Sequence, residues 1–340
     1  MNYVTTRTPH RISILGGGTD IKEFYEIHQG AVLSFAIDKY VYVTVKKHPR
    51  FFNEKYRIVY SETELRQNRL KIKNDIVRSV LEFLEFEEPL YISSISDVPA
   101  GSGLGSSSAF TVGLLHAIHI MKGNKQVSKS QLAEEACHIE ISMLKNPIGK
   151  QDQYACALGG TNFLKFNTNG SVDITKSTYI DNITAKLAEN SFLVWTGISR
   201  SSSLVLKSQR SEITSGKIKD PMIKLRDICL NYSDYVNDLS SEKSIEGGHQ
   251  LLLDLLQDSW NIKKNLNPKI ENKKIRDLIN KIRAQVKNKK FSLKLCGAGG
   301  GGFILCAFGK LQSLPTDLLT MRTNIDINQN GTELINKLEN

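Results

Sequence analysis

The sequence predicts an α+β protein of two domains, residues 1–180 and 181–340, each a mixed or antiparallel sheet layered with helices. Three observations carry this prediction. The chain has 340 residues, more than one compact core usually organises. Its first part is rich in short β-branched and aromatic runs separated by helical stretches. From about residue 200 the texture changes to long helical patterns, with two short apolar runs near the end.

The elements follow in order. Residues 30–47, GAVLSFAIDKYVYVTVKK, read as one or two strands, and Phe51–Tyr60 as a hairpin region. Ile76, Val80, Leu81 and Leu84 fall at helical spacing within Asp75–Phe86. Leu90–Ile95 is a strand, and Phe110–Met121 is a helix. Ser128 with Gln131 makes a capping-box start for a helix running to about Leu144, before Pro147. Asn162–Phe166 and Val172–Thr175 flank Asn169-Gly170 as a short hairpin. Phe192–Thr196 is a buried-type strand. Helices are expected over Ser201–Ile213, Ile223–Leu239, Ile245–Asn265 and Asn272–Val286, and strands over Ser292–Cys296 and Phe303–Phe308.

Hydrophobic content of 40% and charged content of 24% are ordinary for a globular protein. The net charge of +10 suits clefts that meet anionic substrates, although most of these lysines are solvated. No basic helix carries interleaved aromatics, so a nucleic-acid partner is not expected. The N-terminus lacks the apolar stretch of a signal peptide, and Ala109–Met121 is too short for a bilayer; a cytoplasmic protein without a membrane partner is expected. Cys137, Cys156, Cys229, Cys296 and Cys306 contain no C-x-x-C pair, which suits buried thiols in a reducing compartment. His138 beside Cys137 lacks the further spaced ligands of a zinc site.

The richest segment is PAGSGLGSSSA, residues 99–109, between an expected strand and an expected helix. Gly101, Gly103 and Gly105 let the backbone turn so that its N–H groups converge. The following helix N-terminus adds unpaired N–H groups and a positive dipole end. Pro99, Gly101, Ser102, Gly103, Leu104, Gly105, Ser106, Ser107 and Ser108 therefore read as a seat for nucleotide phosphates. The three serine hydroxyls lie where a phosphate-bound metal would sit. No Gly-Lys-Ser/Thr closes the loop, and Ser106 breaks G-x-G-x-x-G, so two common ways of holding phosphate are excluded.

Three more segments are dense in glycine and polar residues: RTPHRISILGGGTD (7–20), IGKQDQY (148–154) and CGAGGGGF (296–303). Four such segments suggest loops converging on one site. Gly297, Gly299 and Gly302 satisfy G-x-G-x-x-G, but the run after them reads as a strand where a dinucleotide fold needs a helix. For a substrate phosphate, the candidates are Arg200 with Ser201 at an expected helix start, and Lys150 beside Asp152. Lys39 is a weaker candidate. Nothing separates Tyr60 or Lys46 from ordinary strand residues as neighbours of an adenine ring.

These segments resemble the GHMP kinases, the galactokinase–homoserine kinase–mevalonate kinase–phosphomevalonate kinase superfamily, through three ordered motifs spanning nearly the whole chain. Within it, RTPHRISILGGGTDIKEFY, IGKQDQYACALGG and TGISRSSS look most like D-glycero-D-manno-heptose 7-phosphate kinases, with fucokinase domains as near neighbours. The resemblance implies the two-domain GHMP architecture, ATP and Mg²⁺, and transfer to the anomeric hydroxyl of a phosphosugar. It implies Ser107 and Glu140 as metal contacts, Asp152 as the catalytic aspartate and Arg11 as the cation beside it. Asp20 would hold sugar hydroxyls, Gly149 would offer a backbone contact, and Gly297, Gly299 and Gly300 would approach the ATP phosphates. Gly17 and Gly18 stand where galactokinases carry a Glu-His pair, which argues against galactose and leaves room for a bulkier or phosphorylated sugar. Another anomeric sugar kinase, such as an L-fucose kinase, and a non-catalytic sugar or nucleotide sensor are the alternatives. The oligomeric state is open, a homodimer among the choices.

Overall fold

The computed structural model describes residues 2–199, 203–239, 243–286, 290–311 and 322–338. It opens with β1 (Tyr3–Leu15), α1 (Lys22–His28) and β2 (Gly30–Lys47), followed by the hairpin β3 (Tyr56–Val59) and β4 (Thr63–Arg66). Next come α2 (Asp75–Phe83), β5 (Leu90–Ser96), α3 (Ser106–Met121) and α4 (Lys129–Cys137). A π-helical segment, His138–Met143, prolongs α4. Then follow α5 (Gln151–Leu158), β6 (Thr161–Phe166), β7 (Val172–Thr175), α6 (Thr178–Glu189) and β8 (Ser191–Trp195). The remainder carries α7 (Ser203–Thr214), α8 (Lys219–Asn237), α9 (Lys243–Lys264), α10 (Lys273–Gln285), β9 (Phe291–Leu295), β10 (Phe303–Phe308), β11 (Arg322–Asn324) and β12 (Glu333–Leu338).

Among the described residues there are two sheets. The larger runs β12-β1-β2-β5-β3-β4, with β6 on a second stretch of β2 and β7 outside β6. It is mixed: β3 and β5 pair in parallel, the rest antiparallel. The smaller sheet, β11-β8-β10-β9, is antiparallel. The α+β class is thus realised as two mixed or antiparallel sheets, each layered with helices.

Several elements depart from the sequence reading. Residues 30–47 form one strand, because β2 is long enough to pair with β5 through Val41–Lys47 and with β6 through Gly30–Phe35. The hairpin begins at Tyr56, not Phe51. The helix after the glycine loop starts at Ser106, four residues early, so all three serines lie in its first turn. α8 also starts four residues before its expected position, at Lys219, while the expected start of α7 lies outside the described residues. Ser128 caps α4 as its pattern requires, its Oγ accepting from the Gln131 N–H at 3.1 Å.

β1 is the main element that pattern reading passed over. Pro9 obscures it, since proline cannot donate to a ladder. The strand accommodates Pro9 at an irregularity: Pro9 pairs with Tyr40 and His10 with Ile37, so the register skips on β2. α1, α5, α6, β11 and β12 were likewise not marked. β12 returns from the end of the chain to pair with β1.

Hydrophobic burial holds these layers together in three clusters. α2, α3 and α4 pack on the larger sheet through Val77, Val80, Leu114, Leu115, Ile118 and Leu132. α3 is apolar on nearly all sides because β1, β2 and the neighbouring helices surround it. A second cluster joins Ile12, Ile14, Leu33 and Phe35 of β1 and β2 to Leu193, Leu252, Leu256 and Leu305 beyond residue 190. The third lies between the smaller sheet and α7–α10, around Trp260, Phe192 and Phe308. The middle cluster fixes the end of β1 against α9 and the smaller sheet, and a cavity opens there.

Candidate active site

The cavity, of about 280 Å³, is bordered by β1, the glycine loop before α3, the start of α5, α9 and the loop between β9 and β10. Arg11 projects from β1 into it. Its Nε donates to Asp152 Oδ1 at 2.7 Å and its Nη2 to Asp152 Oδ2 at 2.5 Å. Its Nη1 donates to the Gly103 carbonyl at 2.8 Å, tying this ion pair to the glycine loop. Burial opposes the Arg11 charge, but Asp152 more than offsets it and the pKa is raised. Asp152 lies in the first turn of α5, where a carboxylate also meets the positive end of the helix.

Asp20 is buried beside this pair. It accepts from the Gly18 N–H at 3.1 Å, the Gln151 N–H at 3.0 Å and the Gln151 side-chain amide at 2.8 Å. Burial raises its pKa, against these hydrogen bonds. Gly149 packs so closely on Asp20 that a Cβ there would collide with the carboxylate. The glycine is thus a clearance for Asp20 as well as a half-buried stretch of backbone on the cavity wall. Gln151 Oε1 is buried in the cavity wall without a partner among the described residues, leaving an acceptor for a ligand hydroxyl.

Glu140 lies on the π segment and is fully buried. Ser107 Oγ donates to its Oε1 at 2.5 Å, while Ser108 Oγ at 2.8 Å and Gln153 Nε2 at 2.7 Å reach Oε2. Burial pushes its pKa up to about 7. A carboxylate and a hydroxyl side by side behind the glycine loop are the hard oxygen donors that Mg²⁺ takes. Among the described residues no group of three or more His, Cys, Asp and Glu gathers as a metal site. Two protein oxygens nevertheless suit an ion carried by a nucleotide.

The glycine loop and the third glycine run pack backbone on backbone. The Phe303 N–H donates to the Ser102 carbonyl at 3.0 Å. At Gly297, which has φ +69°, a Cβ would stand 2.6 Å from Gly103 Cα; at Gly103, φ +79°, it would stand 2.5 Å from the Cys296 carbonyl oxygen. The run therefore ends in β10, not a helix, and serves as a buttress for the loop. This removes the structural context of the dinucleotide reading.

Of the residues marked in the sequence, Arg11, Gly18, Asp20, Gly101, Ser102, Gly103, Gly105, Ser106, Ser107, Ser108, Gly149, Asp152, Gly297 and Gly299 border the cavity. Glu140 stands behind them through its serine contacts. Leu104 is buried, its carbonyl accepting from the Arg11 N–H at 3.0 Å. Pro99 is exposed, Gly17 is buried next to Ser13, and the Gly300 N–H is bonded to the Ile270 carbonyl. Lys150 turns away: its Nζ donates to the Gly170 carbonyl at 2.5 Å and lies 5.1 Å from the centre of the Tyr25 ring. Arg200 and Ser201 lie outside the described residues.

Two cavity residues had no sequence signal. Lys263 near the end of α9 and Lys294 on β9 are both buried, and both border the cavity. A lysine in a helical pattern ordinarily faces water, and one in a short strand ordinarily ends it, so only tertiary packing reveals these.

Residues 60–160 match the model of the GHMP kinases N-terminal domain. The chain is 28% identical over 313 residues to D-glycero-alpha-D-manno-heptose 7-phosphate kinase of Campylobacter jejuni, covering 89% of each. It is 28% identical over 157 residues to galactokinase of Thermotoga maritima, covering 45% of this chain and 43% of the galactokinase. A crystal structure of a D-glycero-D-manno-heptose 1-phosphate kinase from Bacteriodes thetaiotaomicron superposes with a TM-score of 0.73 at 21% identity, covering 99% of this chain and all of the other. Residues 60–160 thus match a GHMP kinase N-terminal domain, and over most of its length the chain is similar to GHMP-type sugar kinases, which are ATP-dependent phosphotransferases.

Proposed function

We propose that the protein phosphorylates the anomeric hydroxyl of D-glycero-D-manno-heptose 7-phosphate at the expense of ATP, giving the 1,7-bisphosphate used in making nucleotide-activated heptose. The observation that carries this reading is the Arg11–Asp152 pair, held on the phosphate loop through Gly103, with the buried Asp20 carboxylate in the same cavity. The similarity to a heptose 7-phosphate kinase over 89% of the chain supports the sugar class, whereas the glycines at 17 and 18, packed against Ser13 and Gln209, do not open the extra space expected of them.

The residues divide the work as follows. Backbone N–H groups of Gly101–Ser108 and the N-terminus of α3 hold the nucleotide phosphates. Ser107 and Glu140 would hold Mg²⁺, which supplies charge neutralisation at the transferring phosphoryl group. Asp20, Gln151 and the Gly149 backbone orient the sugar. Asp152 lies ready to align the anomeric hydroxyl and accept its proton as the oxygen attacks the γ-phosphorus and ADP leaves. Arg11 fixes Asp152 and offers positive charge to the transition state.

The test is ADP release with Mg·ATP and a panel of free and phosphorylated sugars, followed by phosphorus NMR of the product. Heptose 7-phosphate is expected to give the highest kcat/KM and a new anomeric phosphate signal. Faster turnover of a neutral hexose would overturn the substrate assignment. Ligand binding without any turnover would favour a sensor.

A further inference from the structure

Lys263 and Lys294 are unusual for lysines in being buried, and among the described residues neither is held by a carboxylate. Lys263 Nζ donates to the Gly297 carbonyl at 2.9 Å. Lys294 Nζ donates to the Ser13 and Ile14 carbonyls at 2.8 Å each. An ammonium has three N–H donors, so among the described residues two on Lys263 and one on Lys294 are left over. Between the same elements stands Ser13, 8% exposed, which borders the cavity and whose Oγ has no hydrogen-bond partner among the described residues. A Cβ on Gly17 would stand 2.8 Å from Ser13 Oγ and 3.8 Å from Lys263 Nζ, which brings the hydroxyl and the ammonium to one spot.

Burying two ammonium groups together is costly. Burial lowers the pKa of each, that of Lys294 to about 7, with further lowering of Lys263 by Arg11 and of Lys294 by Lys263. A dianion between them would relieve both penalties and satisfy Ser13 Oγ. We propose that Lys263, Lys294 and Ser13 form the seat for the distal phosphate of the sugar substrate, an inference that rests on the kinase reading above. The position suits the part. Ser13 lies two residues beyond Arg11 on the same face of β1, roughly 7 Å further along the strand. The reacting end is fixed by Arg11 and Asp152, and Asp20 lies on the same N-terminal segment as Gly17. A sugar held by Asp20, its anomeric oxygen at Asp152, would carry its far end towards Ser13. Lys150, the candidate read from the sequence, is occupied at Gly170 instead.

The experiment compares kcat/KM for heptose 7-phosphate and for the unphosphorylated heptose in the wild type, Lys263→Met, Ser13→Ala and Lys150→Met. Lys263→Met is expected to lower the value for the phosphorylated sugar about tenfold to a hundredfold, mainly through KM, with the free sugar and the KM for ATP changed less than about threefold. Ser13→Ala should act in the same sense but more weakly, and Lys150→Met should leave the ratio unchanged. Should Lys263→Met fail to fold, Ser13→Ala decides on the same ratio. The wild type decides as well: heptose 7-phosphate, but not free heptose, should protect Lys263 and Lys294 from an amine-reactive label. Equal losses for both sugars would overturn the seat while leaving the kinase reading intact, and so would a raised KM for ATP with either sugar. A wild type that ignores heptose 7-phosphate would overturn both.

Discussion

A carboxylate gripped by both arms of a guanidinium keeps a lone pair on each oxygen for another donor. Asp152 can therefore be fixed by Arg11 and still accept from a hydroxyl. An amide at this position would place an N–H₂ group against the guanidinium or the acceptor, losing both alignment and proton acceptance. Asp152→Asn is expected to lower kcat by about 10²- to 10⁴-fold, with the KM for ATP within about threefold of the wild type. Steady-state kinetics at saturating sugar check this; a parallel loss of ATP affinity would mean that Asp152 serves the nucleotide. The pair also shows what a sequence can carry. Arg11 and Asp152 are 141 positions apart, and their 2.7 Å contact has no local signature. Only the resemblance of their segments to a family of kinases brought them together. Lys263 and Lys294 belong to no such segment, and burial, the property that sets them apart, is not visible in residue type.

At the scale of elements, the glycine runs were legible because their chemistry is local: a strand, a backbone that can turn, and a helix start lie within a few residues of one another. What the runs do to each other was not. Gly103 and Gly297 touch across almost two hundred residues, each in a left-handed conformation and each lacking a Cβ that the other could not admit. Gly297→Ala should cost on the order of 1–3 kcal/mol in stability through strain at a positive φ and through displacement of the loop. The same substitution should raise the KM for ATP, because the N–H groups proposed to hold its phosphates would move with Gly103. Thermal unfolding and ATP kinetics on one preparation check both; a lower melting temperature with unaltered ATP affinity would confine the third run to stability. The serines show a related limit. Apolar periodicity begins at Phe110, yet α3 begins at Ser106, since a helix N-terminus is defined by where its first N–H groups point and not by where its apolar face starts.

Over the whole molecule, the α+β class and the strand and helix segments near its middle were readable from periodicity, whereas β1 and β12 were not. β1 lies along β2 and contributes Thr6, Thr8 and His10 to a wholly buried interior, so its polarity pattern is not that of a half-solvated strand. This burial has a consequence for acid stability. Burial lowers the His10 pKa to about 4 and that of His116 to about 4. The unfolded chain therefore binds more protons than the folded one between about pH 6.5 and pH 4, and these histidines lower stability as the pH falls through that window. Glu140, raised to about 7 by burial, acts in the opposite sense, because the folded state holds its proton above the pKa of the unfolded chain. The net slope of the wild type is thus a difference between opposed contributions, and a variant isolates one of them. His10→Gln is expected to lose roughly 2–3 kcal/mol less than the wild type when the pH is lowered from 7 to 4.5, whatever its absolute stability at pH 7. Urea unfolding at the two pH values measures that difference directly. Equal losses in both proteins would mean that His10 is already charged in the fold, and Ser96 Oγ at 3.2 Å from its Nε2 would then have to be accepting its proton.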